Sequence, residues 1–400
     1  VEIKIPPYVK DIMMVLMQHG YEAYVVGGCV RDSILGREPH DWDVDWDVCT
    51  NALPQEVQKM FNHTVLLGIK YGTVGVVNND KCVEVTTYRN DGRYTDNVKY
   101  MKTLKSDLAR RDFTINAIVA DVTGNVRNRK NVGDIKRKLV KCVENADKRF
   151  AEDPLRMLRA IRFAADLDFS IEFETWKSIK RNRDSLKKVS IERIRDELSR
   201  IILSKNADYG ISLFEESWLN EAVEIPKRVP QLNISLNCVE NDLVSRWGAY
   251  VWQLYYETVY KVILINKFKF SKRMSESVTK IITELNILNS CQIDYISEND
   301  IKEMIALFGK EDTSRIIGLL NILHSDSIYK TKVKEIKDTY FRILAEKMPI
   351  TRKDLAINGN DLIGLGMKGE TIGKTLNGLT ELIWEHPEWN TRECLFKLVK

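Results

Sequence analysis

The sequence is poor in the features that mark whole classes of protein. Its seven cysteines stand far apart, at positions 29, 49, 82, 142, 238, 291 and 394, with no Cys-x-x-Cys, and its five histidines are equally scattered. Neither a zinc site nor a disulfide framework is indicated, and a reducing compartment fits best. Nine prolines in 400 residues leave no Pro-rich linker, and there is no low-complexity stretch or internal repeat, which excludes collagen, extended disorder and solenoids. No run approaches the ~18 apolar residues that span a bilayer. The opening VEIKIPPYVKDIM has no long apolar core or cleavage signature, so the expectation is a cytoplasmic protein with no membrane association; no protein partner is indicated. Net charge is also scarce: 61 basic against 57 acidic residues leaves +4. A polyanionic partner must therefore be met by local clusters, and two qualify. Seven bases lie in 127–141 against the single acid Asp134, and six in 177–188 against Asp184. On charge alone, each reads equally as a solvated face or a nucleic-acid contact.

What is present, 44% apolar and 30% charged residues, suits several domains with cores of their own. The pattern predicts a helix over 7–20, a strand over 21–26 ending at Gly27-Gly28, and a second helix from CVRDSILG. DWDVDWDV (41–48) alternates with period two; a helix capped at Asn51 follows, then strands in TVLL, GTVGVV and CVEVTTYR. This is an α/β region, a small mixed sheet packed with helices. From about Arg149 the periodicity is helical to the end, with helices near 150–167, 173–187 and 190–204, a stretch rich in Trp and Tyr around 215–265, and further helices to about 347. Met348-Pro349 and the Gly-rich 357–378 mark a last boundary before a helical C-terminal segment.

Three constellations carry chemistry. In the first, Gly27-Gly28 and Arg31-Asp32 precede Asp41, Asp43, Asp45 and Asp47. Alternation on a strand turns all four acids the same way, and such oxygen ligands suit Mg2+, which phosphoryl transfer uses to orient reactants and neutralise charge. The glycine pair lets backbone amides approach a phosphate. In the second, RRDFTINA (110–117), Arg110 and Arg111 can clamp phosphates while Asp112 and Asn116 hydrogen-bond ribose hydroxyls; the alternative is a helix start capped by Asp112, with solvated arginines. The third, EDPLRMLRAIRFA (152–164), predicts a helix with Pro154 in its first turn, an apolar stripe, and Arg156, Arg159 and Arg162. Asp153 and Arg156, at i and i+3, can present acceptor and donor to a base edge or make an ordinary helix salt bridge, and the helical drift sets Arg162 opposite Asp153. GETIGKT (369–375) is not a P-loop, because Lys368 stands where the first glycine is required; it reads as a glycine turn and helix start.

Together these motifs resemble the class II tRNA nucleotidyltransferases, the CCA-adding enzymes and their poly(A) polymerase relatives, most like the bacterial CCA-adding type. VVGGCVRDSILG with DWDV is similar to the catalytic motif, RRDFTINA to the ribose motif, AEDPLRMLRAIRFA to the nucleotide-selecting helix, and SIERIRDEL (190–198) to the motif that follows. GMKGETIGKTLNGL and HPEWNTRE are similar to the bacterial C-terminal segment, while 215–345 carries little of the resemblance. The resemblance implies a catalytic head (1–144), a neck (145–210), a helical body (211–347) and a tail (348–400) that binds tRNA. It implies Mg2+-dependent, template-independent addition of CCA to tRNA 3′ ends from CTP and ATP, with release of pyrophosphate. Gly28 and Arg31 would meet the triphosphate, an Asp-x-Asp pair and Glu84 the metals, Asp153 with Arg156 the base, and Lys353, Lys368 and Lys374 the RNA. Three departures stand out. DWDV occurs twice: counting from Arg31-Asp32 selects Asp41 and Asp43, the preferred pair, and counting back from ALPQEV selects Asp45 and Asp47. The segment 90–101 is shorter than in CCA-adding relatives, and NVRNRKNVGDI replaces an Asp-Pro-containing turn. The rival readings are an enzyme that stops at CC, an A-adding enzyme, a poly(A) polymerase, and a catalytically silent RNA-binding protein on the same fold.

Overall fold

A computed structural model describes residues 2–37, 46–68, 72–89, 100–255, 257–289 and 293–399. The chain forms two compact units, Val1–Ile225 and Pro226–Lys400. The first opens with helix α1 (Pro7–Gln18), whose buried Val9, Ile12, Met13 and Leu16 follow the helical period. After it come β1 (Ala23–Val26), α2 (Gly28–Ile34), β2 (Asp47–Thr50), α3 (Pro54–Met60), β3 (Thr64–Gly68), β4 (Thr73–Asn78) and β5 (Lys81–Thr87). Helix α4 (Leu104–Ala109), strands β6 (Val119–Ala120) and β7 (Val126–Arg127), α5 (Arg129–Lys136) and β8 (Leu139–Val140) complete the α/β region. Strands β1 to β7 make one sheet in the order β3-β4-β5-β2-β1-β6-β7, antiparallel except for the β2–β5 couple, and β8 stands outside it. One face carries Val26, Cys49 and Tyr88 into a core shared with Leu108 of α4.

Six helices follow in this unit: α6 (Ala146–Glu152), α7 (Arg156–Leu167), then, after strand β9 (Ser170–Ile171), α8 (Phe173–Asn182), α9 (Ile191–Leu203), α10 (Ala207–Glu216) and the short α11 (Leu219–Ala222). Helix α7 buries nine residues, from Met157 to Leu167, and Gly210 of α10 lets that helix close on it: a Cβ there would lie 3.0 Å from Ala165 and 2.7 Å from Ile201.

Three expectations are corrected here. The helix foreseen over 150–167 is two, because Asp153 precedes a proline and takes extended angles, φ −148° and ψ 103°, at the end of α6. Asn51 caps no helix. Its side chain accepts a bond from the Glu22 amide at 2.7 Å, while α3 starts with Pro54 in its first turn and the Glu56 carboxylate on the Leu53 amide. The described strand of the acidic repeat begins only at Asp47 and runs past it to Thr50; Asp41, Asp43 and Asp45 lie outside the described residues.

The second unit is helical: α12 (Leu243–Trp252), α13 (Thr258–Lys267), α14 (Lys272–Asn289), α15 (Glu298–Leu323, broken at Gly309), α16 (Lys330–Ala345), α17 (Gly359–Gly364), α18 (Glu370–Glu385) and α19 (Arg392–Val399). The aromatic stretch is core: the Trp247 ring meets Tyr250, Phe268 and Phe270 at 5.9, 4.9 and 5.0 Å. Lys261 is fully buried there, donating to Asn286 at 3.0 Å beside the Trp252 ring. A separate apolar cluster, from Leu355 through Leu376 to Leu395, holds the last three helices together. Among the described residues no helix is long and apolar enough to cross a membrane.

Candidate active site

The parallel couple at the centre of the sheet sets the first group of side chains. Asp47 of β2 is in register with Glu84 of β5, and partners in register point to the same face. On Glu84's other side the partner is Gly75, so no side chain crowds that carboxylate along the strand pair. Gly27 closes the site from β1: its φ is 87°, and a Cβ on it would lie 3.2 Å from Arg111 Nη1 and 3.8 Å from Asp47 Oδ2. A carboxylate, a guanidinium and bare backbone thus converge on one point. Two oxygen-donor acids on one face suit a hard divalent cation; among the described residues, no group of three or more His, Cys, Asp or Glu side chains could hold one. Cys29, next to the glycines, is buried, and that burial, reinforced by Asp47, pushes its thiol up to about 12, so it is chemically quiet.

The second group is a continuous lattice joining the three constellations. Arg31, only 5% exposed, grips Asp32 with Nε and Nη2, both at 2.8 Å, and gives Nη1 to Asn116 Oδ1 at 2.7 Å. Asn116 donates to Asp112 at 3.2 Å, and Asp112 receives Arg159 of α7 through Nε at 2.9 Å and Nη2 at 2.7 Å. Arg159 also faces Glu197 of α9 at 3.7 Å, where Arg162 arrives at 3.1 Å. The guanidinium carbons of Arg31, Arg159 and Arg162 lie 5.3, 5.4 and 4.4 Å from the Phe163 ring centre. Burial alone would raise the pKa of Asp112; the Arg159 charge overrides it and holds the carboxyl well below its usual range.

A third group begins at the break between α6 and α7. The Asp153 carboxylate accepts from Arg193 of α9 at 2.9 Å and from the Leu155 amide at 3.1 Å, while Arg156 meets only the Asp153 backbone, its amide on the Asp153 carbonyl at 3.1 Å. Arg156 reaches Glu152 at 2.8 Å and the Arg110 carbonyl at 3.2 Å. The expected helical pair is therefore replaced by an acid on a turn, paired across to the next long helix. The two arginines of RRDFTINA share one buried acid that sequence reading passed over. Asp107 accepts from Arg110 at 2.8 and 2.7 Å and from Arg111 at 3.4 Å. Asp112 caps no helix; a single 3-10 turn, Thr114–Asn116, follows it.

Asp107, Arg193, Glu197 and Phe163 are thus additions to the candidate set. Arg193 and Glu197, four apart on α9, share a face, a spacing visible in SIERIRDEL; Asp107 stands three before Arg110. Arg31, expected at the triphosphate, is buried with its guanidinium on Asp32 and Asn116. Gly28 is the first residue of α2. In the second unit Lys353, Lys368 and Lys374 are exposed, and α18 starts after Gly369, whose φ is 62°, with helix α17 and no strand before it, as the rejection of a P-loop requires.

A mixed sheet bearing paired carboxylates, roofed by helices rich in arginine, defines a nucleotidyltransferase head of the poly(A) polymerase class. Residues 23–141 match the model of the poly A polymerase head domain, 168–223 that of an RNA- and SrmB-binding site of polymerase A, and 243–399 that of tRNA nucleotidyltransferase domain 2. The chain is 34% identical over 405 residues to the CCA-adding enzyme of Lactobacillus helveticus, covering 97% of this chain and 95% of that one. It is 33% identical to that of Limosilactobacillus reuteri, covering 93% and 90%. A solved Bacillus stearothermophilus CCA-adding enzyme in complex with CTP superposes with TM-score 0.79 at 28% identity, over 95% of this chain and 93% of that one. This chain belongs to the CCA-adding enzymes, the tRNA nucleotidyltransferases.

Proposed function

We propose that the enzyme adds C, C and A in turn to the 3′ end of tRNA, consuming two CTP and one ATP and choosing each nucleotide with side chains instead of a template. The observation that carries this reading is the unbroken lattice from Arg31 through Asn116, Asp112 and Arg159 to Glu197. It joins glycine turn, ribose motif and selecting helix in one site, in a chain similar to CCA-adding enzymes over nearly its whole length. The terminal ribose hydroxyl attacks the α-phosphate of the incoming triphosphate; a P–O bond forms to the tRNA, the bond to the bridging oxygen breaks, and pyrophosphate leaves. Arg110 and Arg111 meet the phosphates beside Gly27 and Gly28, Asp112 and Asn116 the ribose, and Asp153, steadied by Arg193 and flanked by Arg156, the base edge. The register of Asp47 with Glu84 favours Asp45 and Asp47 over Asp41 and Asp43 as the acidic pair. Asp45, Asp47 and Glu84 would hold Mg2+, which would supply charge neutralisation on the triphosphate.

The test is a tRNA lacking its 3′ end, given CTP and ATP together and each alone, with products resolved to single nucleotides. Three added residues, C, C and A, are expected. Arrest at CC would favour the enzyme that stops there, a reading motivated by the short 90–101 segment, of which 90–99 lie outside the described residues. A long A tract would favour a poly(A) polymerase, and no extension a silent RNA-binding protein.

A further inference from the structure

In the second unit the end of α14, the 3-10 turn Ile293–Tyr295 and the first half of α15 enclose a groove of about 340 Å³, lined by Leu288, Ile296, Met304 and Phe308. Tyr295 and Leu307 also line it, although 84% and 62% of their surfaces stay in water. Three carboxylates share the groove, Glu284, Asp300 and Glu303. Among the described residues no cation pairs with Glu284 or Glu303, and burial together with the Glu303 charge pushes the Glu284 carboxyl up. From 284 to 303 five acids face a single base, Lys302, and its amine is turned inward onto the Trp384 carbonyl at 2.7 Å and Glu298 at 2.9 Å.

Helix α16, packed along α15, carries the opposite pattern. One side buries Val333, Ile336, Tyr340 and Ile343. On the exposed side Lys330, Lys334, Lys337 and Phe341 follow the helical period in one stripe, and Ile328, 89% exposed, stands just before the helix. Lys332 is paired with Glu335; Asp326 and Asp338 flank the stripe, yet among the described residues no ion pair joins its three lysines to a carboxylate. Arg342 pairs with Glu298, which sets the Phe341 end of the stripe beside the start of α15, where Asp300 of the groove lies.

We propose that this face joins two copies of the chain, the basic stripe of α16 from each laid along the acidic groove of the other. An acidic apolar strip beside a basic apolar one is self-complementary under a two-fold rotation, and such an interface closes at two copies. Carboxylates in the groove repel RNA phosphates. A small organic amine would answer their charge but leave Tyr295, Leu307, Ile328 and Phe341 in water, whereas a second copy covers all four.

The experiment is sedimentation velocity on the full-length protein over a concentration series at low and high salt. The parent should show a monomer–dimer equilibrium that salt weakens. Glu284→Lys/Glu303→Lys makes both strips basic and Lys334→Glu/Lys337→Glu makes both acidic; each should raise the dimer dissociation constant by about tenfold or more. An equimolar mixture of the two should form a heterodimer with roughly the parent's affinity, because every strip again meets its opposite, and that recovery also shows both variants to be folded. Should Glu284→Lys fold poorly, Glu303→Lys/Leu307→Ser, at exposed positions, reads the same groove and should weaken the dimer to a similar degree. A parent that stays monomeric throughout the low-salt series would overturn the proposal, as would a dimer that neither reversal weakens or two weakened variants that fail to complement each other. If Lys334→Glu/Lys337→Glu lowers affinity for tRNA and leaves self-association unchanged, the stripe is an RNA contact and the dimer face is likewise overturned.

Discussion

Asp47 and Asp107 are the residues on which single changes should act most cleanly. Asp47→Asn keeps the shape and removes the charge; transfer should fall on the order of a thousandfold or more, with tRNA affinity nearly intact, in single-turnover assays. Near-normal rates would remove Asp47 from the chemistry and return the first acidic pair to consideration. Asp107 touches no substrate in this reading, yet it is 1% exposed and holds both Arg110 and Arg111. Asp107→Asn should raise KM for CTP and ATP by about tenfold through loss of charge-assisted bonds, more than it lowers kcat, and Asp107→Glu should recover part of the loss. The family resemblance already set Glu84 beside an Asp-x-Asp pair; that its neighbour in register is Asp47 was not legible, because only the parallel β2–β5 pairing fixes it. Arg193 was hidden for a similar reason. Its partner Asp153 lies 40 residues back along the chain, before both α7 and α8, and no local spacing connects them.

Among the elements, the turn between α6 and α7 shows how much the local pattern carried. Pro154 was noted, but its restriction of the preceding residue, which ends α6 at Glu152, outweighs the continuous apolar stripe. The acid is therefore turned toward α9 and not along its own helix. Arg193→Ala should accordingly mimic Asp153→Ala, each relaxing CTP against ATP discrimination by roughly 1–3 kcal/mol with smaller loss of RNA affinity; selectivity unchanged in Arg193→Ala would leave that contact purely structural. The bond from Arg159 of α7 to Asp112 also sets an acid limit. Arg159 depresses Asp112 despite its burial, so the stabilisation is complete above the unfolded carboxyl range, ~pH 4, and is lost as pH falls through the lower folded value. Thermal scans should show Asp112→Asn losing stability at pH 7, with the gap to the parent narrowing as pH falls below ~4 and closing only beneath the lowered folded value.

For the whole molecule, the sequence made the order of regions legible, α/β first and helical afterwards, because periodicity changes at Arg149. It did not reveal a chain compact as two units parted at Ile225, since the bonds that tie α6 and α7 back to residues 109–112 of the α/β region span long stretches of chain. Nor did it single out Lys261, whose amine is driven down to about 8 by burial, with Glu257 opposing. A lysine depressed in the folded state binds fewer protons than the unfolded chain between pH ~8 and ~10.4, so its own contribution to stability rises with pH across that window. Buried thiols such as Cys29 act in the opposite sense, so the quantity to follow is the difference between Lys261→Met and the parent in denaturant titrations: the variant should be the more stable at pH 7, and that advantage should shrink as pH rises to ~10.4. A difference independent of pH would mean that water reaches the amine.

The parallel couple of β2 and β5 also governs when the site comes into being. Between those strands the chain must lay down α3, β3 and β4, so the neighbouring acids are a contact of high sequence separation, formed at the expense of loop-closure entropy and late in time. During synthesis or refolding the helical part can regain its far-ultraviolet signal while the acids are still apart. Competence for divalent-cation and nucleotide binding should therefore return more slowly than helicity in stopped-flow refolding.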